Sequence, residues 1–283
     1  MKRLIRFDWA VKRLLRNKAN FGILEGFLSE LLLEDIKIES ILESEGNKQT
    51  ADNKSNGVDM LVQNSKKELI IIEIQNNYMQ DYLMRMLFGA SKLVIDNMDM
   101  GMEYGKKKKI ISVNIVYFDL GQGKDYVYRG TTNFTGLNNN DILTLSKREE
   151  DLYHTPQIPK IFPEYYIIKV NNFDDIAKNT LDEWVYFLKN EEVKEEFKAK
   201  GLKEAKEKLD LLKLSDDERL EYDRYIMNQR DDYGTIVGNY NKGKFDNSLE
   251  IAKNCLDEGM DISLVSKLTG ISEEMINKLK LGS

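Results

Sequence analysis

The sequence is poor in the two residue types on which cysteine and histidine chemistry depends. Among its 283 residues there is one cysteine, Cys255, and one histidine, His154. A single cysteine excludes an intrachain disulfide and a cysteine metal cluster. A single histidine excludes zinc sites built from several histidines and disfavours a serine–histidine triad. This composition is typical of a cytosolic protein.

Long hydrophobic runs are also absent. The longest runs, such as Leu69–Ile72, are far too short to span a bilayer, so no membrane partner is expected. The first residues, MKRLIRFDWAVKRLLRNK, are basic and amphipathic but lack an unbroken apolar segment and a small-residue cleavage site. We interpret them as a helix of the fold rather than a signal peptide, and expect a cytoplasmic protein.

The net charge is unevenly distributed along the sequence. The net charge is -6, yet residues 1–18 carry seven basic residues against Asp8 alone. A basic first helix in an acidic protein can bind a polyanion such as DNA. The alternative interpretation is a basic helix face that contacts only solvent.

Hydrophobic periodicity predicts an α/β core followed by helices. Helices are predicted over residues 3–17, 20–33 and 78–98. Strands are predicted over residues 36–42, 58–62, 68–75, 109–120, 125–134 and 165–170. From residue 173 onward the pattern is helical only. We therefore divide the chain into a core, residues 1–172, and a helical C-terminal region, residues 173–283.

One apolar strand carries an acidic residue, Glu73. Burying a carboxylate is costly unless a cation, a hydrogen-bond donor or a metal pairs with it. Glu73 and Gln75 share one face of their strand, and Asp59 begins the preceding strand, so the hairpin brings Asp59 close to Glu73. Two carboxylates and an amide are ligands that suit Mg²⁺ or Mn²⁺, and such a metal can activate water against a phosphodiester. Alternatively, Glu73 lies on a solvated strand face and Asp59 is a turn residue.

With these residues, four flanking segments resemble a known family. They are FDWAVKRLL, GVDMLV, IIIEIQNNYMQDYLMRM and EYGKKKKIISVNIVYF. Together they resemble the PD-(D/E)XK nuclease superfamily, and within it the recombination-promoting nuclease and transposase family. The resemblance covers about residues 3–170 and, more loosely, the tail. It implies a restriction-endonuclease-like core, a mixed sheet flanked by helices, that cleaves DNA with Asp59 and Glu73 as metal ligands and Gln75 as the third catalytic residue.

Gln75 departs from the superfamily pattern, which has lysine at this position. Glutamine can orient a water or bind a phosphate oxygen, but it has no charge to stabilise a developing phosphorane. A cation from elsewhere can compensate. The candidate contacts to DNA phosphates are Lys12, Lys54 and Arg85, together with Arg6 and Arg13 of the basic first helix.

The C-terminal stretch SLVSKLTGISEEMINKL has a helix–turn–helix outline with a short turn at Thr269 and Gly270. A recognition helix offers Arg, Asn or Gln to base edges. Here the second helix begins with Glu273 and Glu274, which repel phosphates. The composition therefore favours packing or a homodimer contact over base readout.

These observations lead to two hypotheses of different class. The first is a Mg²⁺-dependent DNA endonuclease linked to recombination, mobile elements or defence, with Mn²⁺ as a substitute metal. The second is a non-catalytic protein that binds DNA or a partner on a nuclease scaffold, which the missing lysine favours.

Overall fold

The computed structural model describes residues 4–13, 15–42, 59–97 and 108–281, with the side chains of Lys12, Leu212, Lys280 and Leu281 outside the description. By its contacts the chain divides into two compact units, residues 1–216 and residues 217–283. Across the described residues, we find no helix with the length and apolar character that a bilayer crossing requires.

One mixed sheet of six strands forms the centre of the first unit. The strands are β1 (Ile38–Ile41), β2 (Met60–Asn64), β3 (Leu69–Gln75), β4 (Ile110–Val116), β5 (Val127–Gly130) and β6 (Glu164–Lys169). Their order across the sheet is β1-β2-β3-β4-β6-β5. Strands β3, β4 and β6 are parallel, whereas β1, β2 and β5 each join a neighbour in antiparallel orientation. The expected α/β fold class is confirmed.

Both faces of the sheet are covered. Every residue of β4 is buried, as its nearly continuous apolar sequence IISVNIV predicts for a central parallel strand. On β3, Leu69 and Ile71 belong to the buried cluster of one face, while Ile70 and Ile72 on the other face are fully buried as well. A carboxylate carried by this strand therefore lies in a largely dehydrated setting.

Six helices belong to the first unit as described. They are α1 (Phe7–Arg13), α2 (Phe21–Leu32), α3 (Tyr82–Asp96), α4 (Lys147–Tyr153), α5 (Thr180–Asn190) and α6 (Leu202–Lys208). The aromatic rings of Phe7, Phe27, Trp184 and Phe187 join α1, α2 and α5 in edge-to-face contacts, with centroids 5.5 to 6.1 Å apart. This cluster anchors the basic first helix to the core.

Helix α6 approaches α2 closely at two glycines. A Cβ on Gly26 would lie 2.2 Å from the carbonyl oxygen of Lys200, and Gly201 has a φ of +83°. Both positions require glycine, the first for space and the second for its left-handed backbone. Helices α5 and α6 thus belong to the first unit, although both follow the predicted boundary between residues 172 and 173. That boundary between two domains stays a prediction.

Helix α3 differs from its prediction in start and in orientation. It begins at Tyr82 rather than at residue 78, and it buries Tyr82, Met86 and Ala90. The apolar periodicity of residues 78–98 predicts an inward face that includes Leu83 and Leu87, but these side chains are 56% and 49% exposed. This helix carries apolar residues on more than one of its faces, so hydrophobic periodicity alone does not determine which face is buried. Packing of Tyr82 and Met86 with residues of β4 and the segment after it selects the face.

The second unit consists of three helices. They are α7 (Asp216–Asp257), α8 (Ile262–Thr269) and α9 (Glu273–Leu281). The first residue of α7 is also the last residue of the first unit. The side chain of Asp261 caps α8 by accepting a hydrogen bond from the Ser263 N–H at 2.9 Å. A small core of Ala252, Val265, Ile271 and Ile276 joins the three helices.

Candidate active site

Asp59 and Glu73 lie opposite each other at the open end of the β2–β3 hairpin. Met60 pairs with Ile72, so continuing this antiparallel register places position 59 across from position 73. Residues directly opposite in such a ladder carry their side chains on one face, with Cβ atoms about 5 Å apart. Oδ2 of Asp59 accepts a hydrogen bond from the backbone N–H of Ile74 at 2.7 Å. This bond holds the aspartate against β3 beside Glu73.

The acidic pair faces helix α3. Glu73 shares its strand face with Ile71, which lines the same small cavity under α3. Burial raises the pKa of the Tyr82 hydroxyl, and the negative charges of Glu73 and Asp59 raise it further while Arg85 opposes them. The residue of β2 two positions after Asp59 packs with Ile71 and α3, so the alternation of the strand puts both carboxylates on the α3 side of the sheet.

Arg85 pairs with Glu73 inside this setting. Its Nη2 atom lies 3.5 Å from Oε2 of Glu73, and the two side chains are only 27% and 13% exposed. The Nε atom of Arg85 is buried without a hydrogen-bond partner among the described residues. It borders a cavity of about 10 Å³ lined also by Ser112 and Asn114, near the lower limit for one water molecule. A cation of the protein thus offsets the cost of burying Glu73.

Gln75 ends β3 on the same face as Glu73. Its Nε2 atom donates to the carbonyl oxygen of Asn77 at 3.1 Å. The amide oxygen accepts no hydrogen bond within the described ranges, so it is available to a water molecule or a cation. An amide at this position supplies an oxygen ligand without adding charge.

A buried network fixes the chain directly after Gln75. Asn76 donates to Oδ2 of Asp8 at 2.7 Å and accepts from Arg6 at 2.8 Å. Arg6 in turn contacts both oxygens of Asp8 at 3.3 Å, and its guanidinium lies 5.7 Å from the ring of Tyr117. Asp8 is 1% exposed. Helix α1 therefore positions the end of the strand that carries the candidate catalytic residues.

Three of the five predicted phosphate contacts have side chains that the structure describes, and they lie in different settings. Arg85 lies beside Glu73, and Arg6 is engaged by Asp8 and Asn76, with which a phosphate would have to compete. Arg13 is exposed at the end of α1. Lys54 and the side chain of Lys12 lie outside the described residues. As DNA contacts, all five stay predictions.

Two side chains near the site, Arg16 and Asn114, were not predicted from the sequence. Arg16 donates to the backbone carbonyl of Asp59 at 3.0 Å. The Tyr82 hydroxyl lies 3.3 Å from Oδ1 of Asn114 on β4, next to the acidic pair. Asn114 stands out in sequence as a polar residue inside the apolar run IISVNIV, which is a signal that could have been used. Arg16 follows the end of α1, and no local pattern connects it with Asp59.

The donor set of the site fits a hard divalent cation. Asp59, Glu73 and Gln75 offer only oxygen ligands, which Mg²⁺ and Mn²⁺ prefer. No cluster of three or more acidic, histidine or cysteine ligands occurs within the described ranges. Mg²⁺ is commonly held by one or two carboxylates plus waters and substrate phosphates, so two carboxylates suffice.

The mixed six-stranded sheet with its flanking helices is consistent with the class of PD-(D/E)XK nuclease folds. The model of the PD-(D/E)XK nuclease family transposases matches residues 5–238, which is most of the chain. The protein belongs to this family, as the sequence resemblance indicated.

A second family model matches the C-terminal end. It describes the C-terminal helix–turn–helix domain of the Rpn/YhgA-like nuclease family and covers residues 246–281. The helix–turn–helix outline expected around Gly270 is thereby confirmed, with α8 and α9 as its two helices. No curated protein and no solved structure matches the chain.

Proposed function

We propose that the protein is a metal-dependent DNA endonuclease in which Asp59 and Glu73 bind Mg²⁺, or Mn²⁺ in its place. The observation that carries this proposal is the position of the two carboxylates across the β2–β3 hairpin on the α3 side of the sheet. When bound, the metal supplies Lewis-acid activation of the phosphate and a bound water of lowered pKa.

The side chains of this chain have distinct roles in the proposal. Asp59 is preset by the Ile74 N–H, so little reorganisation is needed before it binds a cation. Gln75 orients the attacking water or the scissile phosphate through its amide oxygen or N–H. Arg85 holds Glu73 before the metal binds, and it is then placed next to the incoming phosphate.

DNA contacts outside the catalytic residues are assigned to basic side chains at the N-terminal end of the first unit. Arg13 and Arg16 are exposed and belong to the same short segment, and Arg16 already reaches Asp59. Lys12, Lys54 and Arg6 complete the proposed set. Binding that depends on several phosphate contacts falls steeply with salt. The C-terminal helix–turn–helix domain supports DNA as the partner, and a homodimer through α8 and α9 stays a proposal.

The family description supports a role in mobile-element or recombination chemistry. A cytoplasmic location is part of this proposal. Defence-like activity is the other setting that fits a nuclease of this kind.

A non-catalytic DNA-binding protein is the second candidate. Two observations favour it, namely the glutamine at position 75 and the ion pair that occupies Glu73. Without the ammonium of the superfamily lysine, developing charge on the phosphate has one stabilising group fewer.

Plasmid nicking separates the two candidates. Full-length protein is incubated with supercoiled plasmid in Mg²⁺, Mn²⁺ or EDTA, together with Asp59→Asn, Glu73→Gln and the surface control Asp151→Asn. The endonuclease predicts metal-dependent nicking that falls about a hundredfold or more in the first two variants and stays intact in the control. Retention of DNA in a gel-shift assay without nicking in either metal refutes the endonuclease and supports the second candidate.

Metal binding has a readout that does not need activity. A ligand specific to the folded state at 100 times its Kd stabilises it by about 2.7 kcal/mol. For a unit of about 200 residues, this raises the Tm by about 5 to 11 °C. The Tm of wild type should rise with Mn²⁺, and that of Asp59→Asn should not. An equal rise in both proteins contradicts the assigned ligands.

A further inference from the structure

A second polar cavity lies within the first unit, at the end of the sheet where β3, β4 and β6 begin. Its volume is about 630 Å³, which is in the range of small-ligand sites. Its walls come from the β2–β3 turn, the starts of β4 and β6, and the segment between α4 and β6. Tyr153 at the end of α4 also lines the cavity, and the segment after it contributes His154, Lys160 and Ile161.

This cavity is separate from the candidate active site in two respects. Glu68 at its wall precedes Glu73 by five positions, which is about 16 Å along a strand. It also opens on the other face of the sheet, because its wall contains Ile111 whereas Ser112 and Asn114 line the cavity under α3. A ligand bound here does not contact the metal-binding carboxylates.

The walls carry an excess of positive charge. The six basic side chains are Lys66, Lys67, Lys108, Lys109, Arg129 and Lys160, and the three acidic ones are Glu34, Glu68 and Glu164. Lys66 pairs with Glu34, and Lys67 pairs with Glu39 nearby. Even with Glu39 included, six cations face four carboxylates.

Two of these cations have no carboxylate partner in the part of the chain that the structure describes. Lys108 donates to Oε1 of Gln63 at 3.3 Å, a neutral acceptor. Lys160 is exposed and forms no ion pair among the described residues. Both ammonium groups can therefore be directed to an anion in the cavity.

The remaining charges form a rigid wall around the buried Glu164. Its carboxylate accepts from Arg129 at 2.5 Å and from the Tyr166 hydroxyl at 2.7 Å, with Lys109 at 3.4 Å. Burial lowers the pKa of Lys109 in spite of Glu164, so this cation is under-compensated. Burial opposes ionisation of Glu164 as well, but its hydrogen bonds from Arg129 and Tyr166 lower its pKa overall. An additional anion would stabilise this wall.

Flat side chains accompany the charges. Tyr153 and His154 line the same cavity, and aromatic faces bind nucleobases by stacking, at about 1 to 3 kcal/mol per base. Lysine ammonium groups bind phosphate as point charges. The combination of spare ammonium groups, aromatic faces and small-ligand volume matches one ligand class, and it does not match the open groove that a duplex needs.

We propose that this cavity binds a nucleoside phosphate, with Lys108 and Lys160 at the phosphate and Tyr153 and His154 at the base. The same chemistry is present in a free nucleotide and in the 5′-phosphorylated end of a single strand. The site does not depend on the proposed nuclease activity, since it shares no residue with it.

Isothermal titration calorimetry of the full chain in EDTA tests this assignment. The probes are AMP, adenosine, inorganic phosphate and a 5′-phosphorylated tetranucleotide, and the proteins are wild type, Lys108→Gln, Lys160→Gln and Asp59→Asn. Lys124→Gln, an exposed lysine in the loop before β5, is the matched control. Melting temperatures confirm that each variant is folded.

AMP is expected to bind wild type, Asp59→Asn and the control equally. Wild type should bind adenosine, which lacks the phosphate, about tenfold more weakly than AMP. Each of the two cavity variants should bind AMP about tenfold more weakly than wild type does. A tetranucleotide that binds at least as tightly as AMP identifies the strand end as the ligand source, and weaker binding identifies the free nucleotide. Absence of AMP binding, equal binding of adenosine, or affinity unchanged in both cavity variants overturns the proposal.

Discussion

The buried network of Arg6, Asp8 and Asn76 gives the sharpest quantitative prediction. Replacing Asp8 with alanine removes the acceptor of the Asn76 amide and the Trp9 N–H, at 2.7 and 2.8 Å, and the nearest counter-ion of Arg6. Glu191 remains near Arg6, but at 3.9 Å. Loss of one partner from a buried ion pair costs about 3 to 5 kcal/mol, because the other charge is left uncompensated.

Urea unfolding followed by tryptophan fluorescence measures this effect on the first unit. Both tryptophans, Trp9 and Trp184, belong to the first unit, so the signal reports its unfolding. We expect Asp8→Ala to lose about 3 to 5 kcal/mol of unfolding free energy, a large part of the about 5 to 15 kcal/mol typical of a domain. The surface variant Asp151→Ala should leave the transition midpoint unchanged.

A double-mutant cycle examines the origin of that loss. If Asp8 acts mainly by compensating Arg6, the variant Arg6→Met combined with Asp8→Ala should be less destabilised than the sum of the single variants by about 1 to 3 kcal/mol. A loss below about 1 kcal/mol for Asp8→Ala, or strictly additive losses, would refute the reasoning.

Three further outcomes follow from single contacts. Gly26→Ala should lower the unfolding free energy measured in urea by about 1 to 3 kcal/mol, because the added Cβ meets a backbone carbonyl. Gly89→Ala, with open space around its Cβ, should raise it by about 0.5 to 1 kcal/mol. Similar effects of the two substitutions would contradict the packing of α2 on α6. Asp261→Ala should destabilise the second unit by about 1 kcal/mol in a thermal melt followed by circular dichroism, since the α8 cap is lost, and an unchanged melt would disprove the cap. Because the pKa of Glu164 is lowered on folding, its contribution to stability is present above its ordinary pKa of 4.5 and is lost as the pH falls through the folded-state pKa. The unfolding free energies of wild type and Glu164→Gln should therefore converge from pH 6 towards pH 3. A constant difference between them would argue against the lowered pKa.

Local sequence patterns were sufficient for much of the fold. The ends of strands β2, β3 and β4 lie within about four residues of their predicted positions, because continuous or alternating apolar residues admit few other structures. The short connection Ser65–Glu68 makes β2 and β3 a hairpin, and a hairpin brings Asp59 opposite Glu73 whatever surrounds it. The helix–turn–helix outline is similarly local, since it rests on Asp261, Gly270 and the spacing of apolar residues.

Long-range packing decided the features that no local pattern contains. Helix α3 carries apolar residues on more than one face. Its contacts with β4 and the following segment are what bury Tyr82 instead of Leu83. Helix α7 continues for 42 residues through three glycines, although glycine disfavours a helix interior. These outcomes depend on which surfaces meet, and that information is spread over the whole chain.

The acidic hairpin is therefore a property of the sequence, whereas its surroundings are a property of the folded unit. Contacts between residues 68 positions apart join Asp8 to Asn76, and contacts 43 positions apart join Arg16 to Asp59. The cavity at the opposite end of the sheet likewise combines charges from the β2–β3 turn, β4, β5 and the segment before β6. Electrostatic partners act over a few ångströms in space irrespective of their distance along the chain, so only the folded arrangement reveals them.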